Sequence, residues 1–141
     1  MIRPKQPALV VLAAAFAVAV AGAVASTGSP LANGKAIFQT GRDLAGKPIG
    51  AVPRPIAPTC ASCHRANGAG GVHLSGGVVS ADLRHRTLVK LKPPYTPALL
   101  QRAISTGIDN QGQKLSPMMP RWRLSKTDLH DVAQYVWTQL K

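Results

Sequence analysis

The apolar positions of this chain cluster into a few short helical stripes separated by long irregular stretches. From Leu31 to Thr40 the sequence reads LANGKAIFQT, where Leu31, Ile37 and Phe38 can share a buried face and Gly41 follows as a stop. The longest stripe lies at the C-terminal end. Leu129, Val132, Ala133, Val136 and Leu140 recur at helical spacing, behind a capping-box-like Ser125 and Asp128 with Asp in place of the usual Glu. Between these, Thr96-Pro97 reads as an N-cap with proline at the first helical position. Leu99, Leu100 and Ala103 carry that helix to about Thr106, and Gly107 ends it. A single helical turn over residues 59–65 is also expected, with Thr59 as its cap. No run of alternating apolar and polar residues predicts a substantial sheet, so the fold class is all-α, with about four short helices. Arg42–Pro58, rich in proline, and Gly68–Ser80, rich in glycine and serine, are long loops that need a function or a body to wrap around.

The first residues follow a different pattern. Arg3 and Lys5 precede an apolar run from Ala8 to about Ala21, and Ala23-Val24-Ala25 forms a small-residue cleavage site before Ser26. Residues 1–25 therefore read as an export signal, and residues 26–141 as one small domain. The alternative is an uncleaved membrane anchor, since the run approaches spanning length. The domain has only five aromatic residues, Phe38, Tyr95, Trp122, Tyr135 and Trp137, so its own apolar mass is limited.

Charge is strongly one-sided. The chain carries 17 Lys and Arg against five Asp and no Glu, a formal +12, and loss of Arg3 and Lys5 with the signal leaves +10. Such a field favours an anionic partner surface. The basic residues are scattered rather than gathered, and the chain reads as exported, which argues against nucleic acid.

The chemistry is concentrated in Cys60-Ala61-Ser62-Cys63-His64, a C-x-x-C-H sequence, the attachment signal for a c-type haem. Residues i and i+3 share a helix face, so both thiols can reach one haem and form thioethers to its two vinyl groups, with His64 against the iron as proximal ligand. Other readings fit less well. A disulfide between Cys60 and Cys63 would close a very small loop, a thioredoxin-like pair would need a βαβ setting, and a zinc site would need a second ligand pair where no further cysteine exists. A bound haem would also supply the apolar mass that the side chains lack. One motif and no internal repeat imply one haem.

The order of parts resembles class I, mitochondrial-type, c-type cytochromes over nearly the whole domain, in a bacterial exported form. The resemblance rests on Gly34 and Phe38 in GKAIF, on Cys60–His64, and on SPMMPRWRLSKTDLHDVAQYVWTQL. It implies the cytochrome c fold, with helices and long loops around one covalent haem. It also implies a distal methionine directly before a proline, which is Met119 before Pro120, with Met118 as runner-up. His73, His85 and His130 are weaker candidates, and His130 reads as solvent-facing. Two departures stand out. The stretch before Cys60 is long for the family, and no proline follows His64 before Pro93 to offer its carbonyl to the imidazole. Some other carbonyl, expected in the Gly68–Leu74 loop, must orient the ring. Phe38, Tyr135 and Trp137 are expected between the first and last helices; Trp122 either covers the haem near Met119 or plugs the core, and Arg121 or Arg123 could reach a propionate, although a solvated arginine is the commoner case.

The implied function is a periplasmic one-electron carrier, with haem c and its iron as cofactor. Its expected partners are redox proteins with an acidic docking face, it is expected to be monomeric, and no catalytic residues are assigned. The rivals are a small cytochrome subunit of an oxidase or dehydrogenase complex, and a haem-based sensing module with an open distal site.

Overall fold

The computed structural model describes residues 28–54 and 59–141. The residues read as an export signal, and the last four residues before the motif turn, lie outside the described residues. Among the described residues, five α-helices occur in chain order: α1 (Pro30–Thr40), α2 (Cys60–His64), α3 (His85–Leu88), α4 (Pro97–Thr106) and α5 (Lys126–Gln139). The caps expected at Thr96 and Ser125 form, each accepting a backbone N–H at the start of α4 and α5; Ser29, not anticipated, does the same for α1, and Gly41 and Gly107 end α1 and α4 in the left-handed region. At α5 the Ser125 hydroxyl also donates to the Asp128 carboxylate, at 2.7 Å.

The frame is the contact of α1 with α5. A Cβ on Gly34 would stand 2.2 Å from the Asp131 carbonyl oxygen and 2.7 Å from Tyr135 Cβ, so the helices touch backbone to backbone at a point only glycine can occupy. Asn33, one residue earlier, ties three segments together. Its amide nitrogen donates to the Asp128 and Asp131 carboxylates at 2.9 Å each, and its oxygen accepts the Leu44 N–H at 2.8 Å. Asp131 is buried, and this amide supplies a partner for its charge. Beyond the crossing, the Phe38 and Tyr135 rings meet at 5.6 Å between centroids. Ile37, Phe38, Leu100, Val132 and Val136 fill the core with α4 behind them.

Three features depart from the sequence reading. Trp137 sets its edge against His85 of α3, with ring centroids 4.4 Å apart, rather than joining Phe38 and Tyr135. The four-residue α3 was not anticipated; it is held by the chain end, since the His85 N–H donates to the Leu140 carbonyl and its Nδ1 to that of Trp137. The long loop before the motif pairs as strand β1 (Gly50–Val52) with β2 (Arg121–Arg123), antiparallel, Ala51 opposite Trp122. Three residues each way are too few to show alternation, so no pattern announces the pair. It nevertheless fixes where the extra loop goes: it braces the segment just after Met119-Pro120. Among the described residues, no helix is long and apolar enough to cross a membrane.

Candidate functional site

The motif forms α2. Thr59 Oγ1 accepts the Ser62 N–H at 3.1 Å, which starts the turn, and places Cys60 and Cys63 one turn apart on the cavity side. No disulfide joins the two thiols. Burial pushes the Cys60 thiol up to about 12, with the neighbouring Cys63 adding to the shift, so it is a poor thiolate and poorly suited to redox exchange. His64 is buried at the end of the turn. Arg65 then takes φ 63° and ψ 158°, an uncommon conformation for a residue with a side chain, and the chain turns sharply away from the motif.

His64 Nδ1 lies 2.8 Å from the Ala81 carbonyl oxygen. A carbonyl can only accept, so Nδ1 carries the hydrogen and Nε2 keeps the lone pair that a metal would use. Burial lowers the His64 pKa, against a smaller opposing effect of the Ala81 bond, and so favours that neutral form. The acceptor is thus not in the Gly68–Leu74 loop, as the sequence implied, but 17 residues beyond His64.

The backbone explains how it arrives. Residues 71–80 fold back as a hairpin through Gly71 N–H to Ser80 O, Ser80 N–H to Val72 O and Leu74 N–H to Val78 O, with its tip at Ser75–Gly77. Buried Ser80 locks the base of the hairpin to the motif. Its hydroxyl donates to the Cys63 carbonyl at 2.8 Å and accepts the Val72 N–H at 2.9 Å. Gly70 makes the room, because a Cβ there would stand 2.3 Å from the Ala81 carbonyl oxygen.

The methionine loop is built with equal care. Met119 N–H donates to the Ser116 carbonyl at 3.1 Å, and Met118 N–H to the Ser116 hydroxyl at 3.2 Å. Arg121, read from the sequence as a possible haem contact, is committed elsewhere. Its guanidinium donates to the carbonyls of Met119, Leu115 (2.9 Å) and Ser116 (3.5 Å). Trp122 beside it is buried and lines the cavity, while Arg123 is exposed.

Cys60, Cys63, His64, Met118 and Met119 all line one cavity of about 500 Å³. That size falls in the range of about 300–1,000 Å³ usual for cofactor sites. Its body is apolar, walled by Leu74, Val78, Leu83, Leu88, Leu100 and Ile104. One part is polar, with Tyr95, Asp109 and Asn110 in the lining. There burial raises the Tyr95 hydroxyl; Arg102, which does not itself line the cavity, donates through Nη2 to the Asp109 carbonyl, and its Nε–H is buried without an acceptor among the described residues. An apolar plate with a carboxylate-bearing edge fits this lining, with two thiols for attachment and imidazole and thioether donors. Haem has that form. His73 is exposed but also lines the cavity; His85 and His130 do not line it, and His130 is exposed beside Asp131. The Ala81 carbonyl, Ser80 and Gly70 were not foreseen from sequence, since nothing local to the motif points to residues so far along the chain.

Compared with known protein families, the chain matches cytochrome c over residues 31–139, nearly the whole of the described part. No curated protein and no solved structure matches it. The all-helical architecture of several short helices with loops wrapped between them is the one expected of that family.

Proposed function

The chain belongs to the cytochrome c family, whose members are generally electron carriers rather than enzymes and carry haem c, and from that premise we propose that this one is an exported, periplasmic one-electron carrier of the class I type. In this reading residues 1–25 are removed and residues 26–141 form the monohaem domain. Haem iron supplies the ferrous/ferric couple. Cys60 and Cys63 would hold the group covalently, and His64 through Nε2 and Met119 through its thioether would bind the iron, with Met118 as the alternative. The apolar walls exclude water, and the fixed backbone around both ligands limits reorganisation between oxidation states.

The observation that carries the reading is the convergence of Cys60, Cys63, His64 and the Met118-Met119 loop on one apolar cavity. The basic surface, formally +10 after removal of the signal, supports acidic redox proteins as partners, met by a monomer. The test is an optical spectrum of the purified protein, oxidised and reduced, together with acid extraction. We expect haem that stays with the polypeptide and a far-red thioether-to-iron charge-transfer band in the oxidised form. Haem that extracts freely would overturn covalent attachment. Absence of the band with ready carbon monoxide binding would replace the carrier reading by an open-site sensing role.

A further inference from the structure

We propose that Arg121 is the positioning residue for the distal methionine, setting the thioether's place through the backbone of its loop. This rests on the reading of a methionine as distal ligand. The loop from Leu115 to Pro120 has little regular structure of its own, and a thioether is a weak donor that cannot hold a loop by itself. Arg121 gathers three of the loop's carbonyls, those of Leu115, Ser116 and Met119, onto one guanidinium. Hydrogen bonds from a charged donor are stronger than neutral ones, and the planar fork fixes direction as well as distance.

The guanidinium is itself held on two sides. Its backbone sits in β2, opposite Val52 of β1. Its side chain lies over Gly107, where a Cβ would stand 1.9 Å from Arg121 Nε, so the glycine that ends α4 also makes the seat for the arginine. The Leu115 N–H returns to the Gly107 carbonyl at 2.9 Å, which closes the loop on the same point. The methionines are therefore referred to α4 and the small sheet through one side chain. Arg123, two residues on and exposed, makes no such contacts among the described residues and provides the control.

The experiment compares holoprotein carrying Arg121→Leu, Arg121→Lys or Arg123→Leu with wild type. It reads the far-red charge-transfer band of the oxidised form and the rate of carbon monoxide binding to the reduced form. Arg121→Leu is expected to lose most of the band and to bind carbon monoxide about tenfold faster or more, as expected for loss of charge-assisted bonds. Arg121→Lys, which keeps the charge but not the fork, should fall between, and Arg123→Leu should match wild type. If Arg121→Leu does not accumulate as folded protein, Arg121→Lys decides: an undiminished band overturns the proposal. A wild-type band that survives intact in Arg121→Leu overturns the role of Arg121 alone. A wild type without the band overturns the ligand reading and this inference with it.

Discussion

Replacing Ser80 by alanine should separate what holds His64 from what merely lies near it. The hydroxyl makes two hydrogen bonds, to the Cys63 carbonyl and from the Val72 N–H, at 2.8 and 2.9 Å. Two such bonds contribute about 1–3 kcal/mol together. Ser80 is only 9% exposed, so the carbonyl and the N–H it leaves behind are poorly reached by water and the upper half of that range applies. At about 4 °C per kcal/mol for a domain of this size, a loss of about 2–3 kcal/mol lowers Tm by roughly 8–12 °C. A second effect follows from the next residue. The Ala81 carbonyl is the acceptor for His64 Nδ1–H, and a ligand whose other nitrogen donates to a carbonyl is a better electron donor to the metal. Loosening that bond weakens the ferric state, so the midpoint potential should rise. A change of about 0.5–1 kcal/mol corresponds to about 20–40 mV for one electron. The assays are a thermal melt and a redox titration of the holoprotein, with exposed Ser75→Ala at the hairpin tip as control. A Tm within a degree or two of wild type would refute the lock. A lowered Tm with an unchanged potential would refute the link from Ser80 to His64.

Gly34→Ala should destabilise the protein by about 1–2 kcal/mol, because overpacking at the α1–α5 crossing outweighs the gain in helix propensity of about 1 kcal/mol; a urea melt that shows equal or greater stability would refute the close contact. Met119→Ala should abolish the far-red band and Met118→Ala should leave it, and the reverse result would exchange their roles. The Arg84 guanidinium beside Asp82 holds that carboxyl well below the usual carboxylate range, so the pair's contribution is present above about pH 4 and fades as pH falls further. Accordingly, Asp82→Asn should be the less stable protein at neutral pH, and the difference between the two melts should shrink in acid; a difference that does not vary with pH would remove the ion pair from the account. Oxidation by an anionic iron hexacyanide should slow as salt rises, while oxidation by a cationic cobalt complex should speed up; two flat profiles would leave the basic surface without a steering role.

What the sequence made legible was whatever depends on residues close together. The caps at Ser125 and Thr96, the stop at Gly107 and the motif turn after Thr59 all follow from local backbone chemistry, and the structure has them within a residue or so. The α1–α5 contact was legible through Gly34 and Phe38, because the resemblance names those positions. What stayed hidden depends on pairs far apart. The β1–β2 pairing joins residues about seventy positions distant through three residues a side, and α3 exists because the C-terminal backbone docks on it. Trp137 looked like a partner for Phe38 because its helix faces α1, yet Tyr135 occupies that face and Trp137 turns to His85. For the site, the Cys60–His64 motif is contiguous and was readable; His64 is oriented by the backbone carbonyl of Ala81, and the Arg121 guanidinium binds backbone carbonyls, and backbone atoms carry no identity in a sequence.

The two sides of the site are consequently more alike than their ligands suggest. On each, the residue that would touch iron is placed by carbonyls whose own positions are fixed elsewhere: the hairpin base on the proximal side, α4 and the small sheet on the distal side. Both supports meet the core through glycines that admit a close approach, Gly70 under Ala81 and Gly107 under Arg121. The cavity between them is large for a chain with so few aromatic residues. At about 25 cal/mol per Å² of apolar surface removed from water, an apolar group covering its walls would add to the stability of a domain whose total is about 5–15 kcal/mol. The same group that would carry the electron would complete the core, and covalent attachment through Cys60 and Cys63 would keep that core from being lost.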